Sequence, residues 1–149
     1  MIRRRLSSRC GPITYANAAF VLEGVTVTDL GGIHPSAPWP ALVDTGANAT
    51  VVPISACQEL GLSPRDWRKP VGFDPSAPQP RTPVFYVRIL VQGMEPAALR
   101  VYGVNRGSIL LGMDFLSNLV LAIDGRRGEG QIGPGSALKS RLLRLLAEL

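Results

Sequence analysis

Apolar positions in this chain come in short runs, each closed by glycine or proline, and the runs alternate with polar residues more often than they repeat at helical spacing. Ile13-Thr14-Tyr15 and then residues 18–27, β-branched and aromatic and broken by Gly24, predict two strands that could form a hairpin. Asp29-Leu30-Gly31-Gly32 with Pro35, Pro38 and Pro40 marks a loop, which ends where Ala41-Leu42-Val43 resumes as a short buried strand. Val51-Val52-Pro53 predicts a further strand or turn. Ser55 is placed to cap a short helix through Ala56, Cys57 and Leu60 that stops at Gly61. Six prolines, at positions 64, 70, 75, 78, 80 and 83, make an extended or looped excursion. Strands follow over residues 84–91, 99–104 and 108–111, the last ending in Gly112, with a helical turn over 114–119. Residues 120–123, the turn Asp124-Gly125-Arg126-Arg127-Gly128 and Gln131-Ile132 predict a final hairpin. Leu138, Leu142, Leu145 and Leu149 line one face of a terminal helix.

Sixteen glycines and 13 prolines in 149 residues support the same picture, a mainly β domain rather than a helical bundle. The pattern divides the chain into a basic leader over 1–11, one domain over 12–133 and an amphipathic tail over 134–149. The net charge of +5 changes this little, because it sits at the ends. Residues 1–9 hold four arginines and no acid, and residues 126–149 five bases against two acids, whereas 10–125 hold seven bases against nine acids. Basic ends on a slightly acidic body predict no nucleic-acid groove. No apolar run reaches the roughly 20 residues that cross a bilayer. Arg3, Arg4 and Arg5 are followed by polar residues where a secretory signal would turn apolar, so a cytoplasmic location is expected. Cys10 and Cys57 are expected as unpaired thiols.

Most chemistries lack their residues. The single His34, without a second His or clustered Cys, gives no zinc site. No Gly-x-Ser-x-Gly elbow, Walker loop or dinucleotide fingerprint is present, so neither cofactor nor metal is expected. Carboxylate chemistry remains. In Leu42-Val43-Asp44-Thr45-Gly46-Ala47-Asn48-Ala49-Thr50, an Asp directly follows an apolar strand, and the small residues after it let backbone N–H groups approach the carboxylate. Alone, the tripeptide is most simply a turn. A second segment, Ile109-Leu110-Leu111-Gly112-Met113-Asp114-Phe115-Leu116, alters that balance. Together the two resemble the retropepsin-like, or retroviral-type, aspartic proteases, whose Asp-Thr-Gly-Ala matches residues 44–47 and whose two apolar residues and Gly before a helix match Leu110, Leu111 and Gly112. Thr50 matches a Thr common in that family.

The resemblance implies a closed, barrel-like acid-protease domain with short helices, a flap hairpin between Lys69 and Val84, and an obligate homodimer acting on polypeptides. One Asp-Thr-Gly cannot supply two catalytic carboxylates, so each subunit is expected to give one Asp44 across a two-fold axis. Two carboxylates held together share a proton, and the pair can serve as base toward water and acid toward the peptide carbonyl. By resemblance Thr45 would bond across the dimer and Gly46 would leave room for substrate. Ala47 and Asn48 would border the substrate, with Gly72 and Phe73 as flap contacts, and Gly112 would let the helix pack on the Asp44 loop. Leu110, Leu111 and Phe115 are chiefly core. The flap stretch holds only Gly72 among prolines, and Asn48 and Met113 replace the acid and arginine that usually pair in retroviral enzymes, which places the likeness nearer the retrotransposon and cellular branch. The alternative is a catalytically silent module of the same fold that dimerises or binds peptides.

Overall fold

The computed structural model describes residues 11–16, 18–70, 76, 80–135 and 147. The first strands, β1 (Gly11–Ala16) and β2 (Ala19–Thr28), form the expected antiparallel hairpin, turned at Ala18 with φ 64°. β2 continues against β3 (Trp39–Val43), and its register shifts between Leu22 and Val25, the position of Gly24. β4 (Val51–Pro53) runs straight into α1 (Ile54–Glu59), so Ser55 is the second residue of the helix and not its cap. Pro53 takes the cap position, and no side chain caps the helix. Proline suits that place, because its fixed φ fits the entry to a helix whose first N–H groups have no partner in any case. Gly61, at φ 67°, ends the helix as expected, and Gly61 and Leu62 donate to the Gln58 and Cys57 carbonyls at 2.9 and 3.0 Å.

The proline-rich excursion contains one element that the sequence pattern does not predict. β5 (Asp66–Arg68) pairs antiparallel with the start of β6 (Thr82–Leu90), Arg68 opposite Thr82. β5 ends just before the stretch from Lys69 to Val84 where a flap is expected and β6 begins inside it, while much of that stretch, Gly72 and Phe73 included, lies outside the described residues. β7 (Ala97–Val104), β8 (Ile109–Leu111), the single-turn helix α2 (Met113–Leu116), β9 (Val120–Asp124) and β10 (Glu129–Gly133) follow close to their predicted positions. Most of the leader and of the amphipathic tail, with Leu138, Leu142, Leu145 and Leu149, also lies outside the described residues.

The strands join in the order β5-β6-β7-β4-β8-β3-β2-β1-β10-β9, and β6 also pairs with β2. That extra pairing closes β6, β7, β4, β8, β3 and β2 into a ring, with β5 attached at one side and β1, β10 and β9 at the other. Val25, Val27, Ala41, Val52, Val87, Ile89, Val101, Ile109 and Leu111 fill the core and are essentially inaccessible to solvent. Burial at about 25 cal/mol per Å² of apolar surface makes this cluster the main source of stability. Two pairings inside the ring are parallel, β3 with β8 and β4 with β7. In the first, Val43 lies opposite Leu111, so the chain leaves both strands at the same end of the barrel, at Asp44 and at Gly112.

Candidate active site

Asp44 begins the loop that follows β3. Its N–H donates to the Leu111 carbonyl at 3.0 Å, so the parallel partner strand fixes where the residue emerges. The half-buried carboxylate is then held from beyond the turn: the Gly46 N–H donates to Asp44 Oδ1 at 2.9 Å, and the Ala47 N–H donates to the Asp44 carbonyl at 3.3 Å. A Cβ at position 46 would stand 3.2 Å from Oδ1, so a side chain there would press on the carboxylate that the backbone now holds. Oδ2 accepts no hydrogen bond from a described residue. Thr45, Gly46 and Asn48 are exposed, and the Thr45 hydroxyl has no partner among the described residues.

The second segment frames this loop from beneath. The Met113 N–H donates to the Ala47 carbonyl at 2.7 Å and the Asp114 N–H to the Asn48 carbonyl at 3.1 Å, which ties the start of α2 to the Asp44 loop. Thr50 is fully buried. Its hydroxyl donates to Asp114 Oδ1 at 2.6 Å and accepts the Gly112 N–H at 3.1 Å, while the Thr50 N–H donates to Asp114 Oδ2 at 3.0 Å. Asp114 Oδ1 also accepts the Phe115 N–H at 2.8 Å, which places the negative charge in the first turn of α2. Gly112 is the point of closest approach. A Cβ there would come within 2.6 Å of the Ala49 carbonyl carbon and 2.7 Å of its oxygen, and backbone atoms cannot yield as a flexible side chain can.

The structure thus brings Asp44, Thr45, Gly46, Ala47, Asn48, Thr50, Leu110, Leu111 and Gly112 to one end of the barrel. Leu111 is buried and Leu110 half-buried, in keeping with a packing role. The sequence pattern missed two charged residues. The pattern assigns Asp114 no role of its own; its place directly after Leu-Leu-Gly-Met, at a helix start, was the available signal. Arg106, between β7 and β8, carried no signal at all. Its guanidinium is half-buried, and Asp44 is the charge that acts on it: burial lowers its pKa while the Asp44 carboxylate raises it. No group of three His, Cys, Asp or Glu able to hold a metal occurs among the described residues, and no described helix is long and apolar enough to cross a membrane.

No protein-family model matches the chain, and no curated protein matches it by sequence. Among solved structures it is similar to a retropepsin-like aspartic protease from Rickettsia conorii, at 15% identity over 84% of this chain and 90% of that one, with a TM-score of 0.59. It is also similar to EIAV protease complexed with the inhibitor HBY-793, at 21% identity over 70% of this chain and 91% of that one, with a TM-score of 0.45. The first likeness establishes that the chain has a retropepsin-like fold.

Proposed function

We propose that the protein is an aspartic endopeptidase that works as a homodimer, each subunit supplying Asp44 to one shared site. The observation that carries this reading is the frame around Asp44: a carboxylate at a strand end, held through Oδ1 by the Gly46 N–H and leaving Oδ2 open, on a loop braced by Thr50, Gly112 and α2. The exposure of Thr45, with its hydroxyl unpaired among the described residues, supports a second copy at this surface, where the two Thr45 side chains would meet beneath the paired carboxylates.

In the dimer the two Asp44 carboxyl groups hold one proton between them, since both cannot be charged at contact distance without a large repulsion. The ionised group takes a proton from water as the water oxygen attacks the peptide carbonyl carbon. The protonated group gives its proton to the carbonyl oxygen, so the tetrahedral intermediate is a neutral gem-diol. Proton transfer to the amide nitrogen then breaks the C–N bond and frees an amine and a carboxylic acid. Gly46 permits close passage of an extended substrate, Ala47 and Asn48 border it, and Gly72 and Phe73 would contact it from the flap. The Asn48 amide can both donate to and accept from the substrate backbone.

Digestion of a peptide library by the wild-type protein and by Asp44→Asn, with mass-spectrometric detection, tests the reading. Cleavage should fall by at least about 10²-fold in the variant, the scale of a lost acid–base group, while the dimer persists because the substitution removes charge repulsion. Undiminished turnover in Asp44→Asn overturns the mechanism. A wild-type dimer that binds peptides without cutting them supports the silent-module alternative.

A further inference from the structure

Strand β6 pairs along one edge with β7 and along the other with β2 and β5 in turn. Pairing with β2 stops where Thr28 lies opposite Arg88, and pairing with β5 stops where Asp66 lies opposite Val84. Asp29 and Arg65, the residues next along those two chains, flank the interruption, and Tyr86 lies at its middle. The Arg65 N–H donates to the Val84 carbonyl at 2.8 Å, which anchors that side of the opening to β6. Tyr86 is level with Arg100 of β7, but the Tyr102 N–H donates to the Thr50 carbonyl, on the side of β4. Tyr102 and Arg100, two residues apart, therefore point their backbone groups away from β6, because these groups alternate sides along a strand. By the same alternation Tyr86 turns its N–H and C=O to the interrupted edge, where no described residue bonds them.

A cleft of about 590 Å³ opens at this point, walled by Asp29, Leu30, Leu62, Arg65, Phe85 and Tyr86 among others, and it shares no residue with the frame around Asp44. Asp29 Oδ1 accepts the Gly32 N–H at 2.9 Å, while Oδ2 has no partner among the described residues. The Arg65 guanidinium makes neither an ion pair nor a hydrogen bond with a described residue. Two opposite charges that border one cleft without pairing fit a ligand that carries both. The direction of β6 sets the order of the groups: the Tyr86 N–H lies toward Arg65 and the Tyr86 C=O toward Asp29. One main-chain unit laid antiparallel to β6, in line with β2 and β5, has its amino end at Asp29 and its carbonyl end at Arg65.

We infer that this cleft is a binding site for a free α-amino acid with an apolar side chain. Its carboxylate accepts from the Tyr86 N–H and the Arg65 guanidinium, and its ammonium donates to the Tyr86 C=O and the Asp29 carboxylate. Leu30, Leu62 and Phe85 give the side chain an apolar wall. An internal residue of a polypeptide offers the same N–H and C=O but neither charge, and it leaves Asp29 and Arg65 without partners. The site stands apart from Asp44 and does not rest on the peptidase reading.

The test titrates the full-length protein with L-leucine, read by isothermal calorimetry and by backbone amide NMR shifts. Leucine should bind saturably, move the Tyr86 amide signal and bind more tightly than glycine. N-acetyl-leucine, which lacks the ammonium, and leucinamide, which lacks the carboxylate, should each bind at least about tenfold more weakly, as loss of one charge-assisted hydrogen bond would give. Arg65→Gln should weaken leucine to the level of leucinamide and leave leucinamide itself unchanged. Asp29→Asn, which keeps an Oδ1 acceptor for the Gly32 N–H, should weaken leucine to the level of N-acetyl-leucine. The absence of saturable leucine binding, or affinity for leucine that survives either substitution, overturns the inference. Binding of N-acetyl-leucinamide, blocked at both ends, as tightly as leucine overturns it in favour of an internal peptide segment. All of these outcomes leave the role proposed for Asp44 untouched, and Asp44→Asn should bind leucine as wild type does.

Discussion

The hydroxyl of Thr50 joins the two halves of the site through one oxygen, donating to Asp114 Oδ1 and accepting from the Gly112 N–H. Thr50→Val keeps the shape and removes both bonds, so an amide and a carboxylate oxygen are left short of partners in a dry place. Urea unfolding should show a loss of about 2–3 kcal/mol, the cost of stranding buried polar groups, whereas Thr50→Ser, which keeps the oxygen, should lose only about 1 kcal/mol for its methyl. Equal losses in the two variants would mean that the hydroxyl carries nothing. The dependence of the site on Thr50 was only half visible in the sequence. The residue could be singled out by its motif, but its partner Asp114 is 64 positions away, and a carboxylate in the first turn of a helix is common for reasons unrelated to any site.

Among the elements, those with a regular burial pattern were legible. β2, β6, β7 and the β9–β10 hairpin follow from alternation and turn residues, and α1 from its short apolar run and Gly61. β5 was not, because all three of its residues are exposed and its existence depends on pairing with β6, which no local pattern reports. The Ser55 cap failed because Pro53 occupied the cap position first. α1 also carries Cys57, whose thiol is fully buried against the barrel and pushed by desolvation to a pKa of about 11 from 9.0. The folded state therefore keeps its proton where the unfolded chain has lost it. Stability from this residue is complete below about pH 9 and declines as pH rises from 9 toward 11, because only the unfolded thiol ionises in that window. The slope of stability against pH over that interval should flatten in Cys57→Ala. Folded wild-type protein should also resist alkylation at Cys57 at pH 8, and rapid labelling there would contradict the burial.

For the whole molecule, the ring closed by β2 and β6 gives a rigid body with Asp44 at one end, and the proposed dimer makes activity a property of two such bodies. Adding the Asp44→Asn protein to a fixed amount of wild type should lower peptidase activity as mixed dimers form, and specific activity should fall on dilution; an active monomer would be indifferent to both. The parallel pairing of β3 with β8 has a further consequence, for the order of events during synthesis. Asp44 leaves the ribosome long before the strand and helix that brace it, and the Thr50–Asp114 contact must close a loop of 64 residues. Such distant closures come late in folding. A nascent chain therefore exposes the Asp44 carboxylate without its frame, and under the proposed function any cutting of neighbouring chains would wait until residues near 116 have been made and docked.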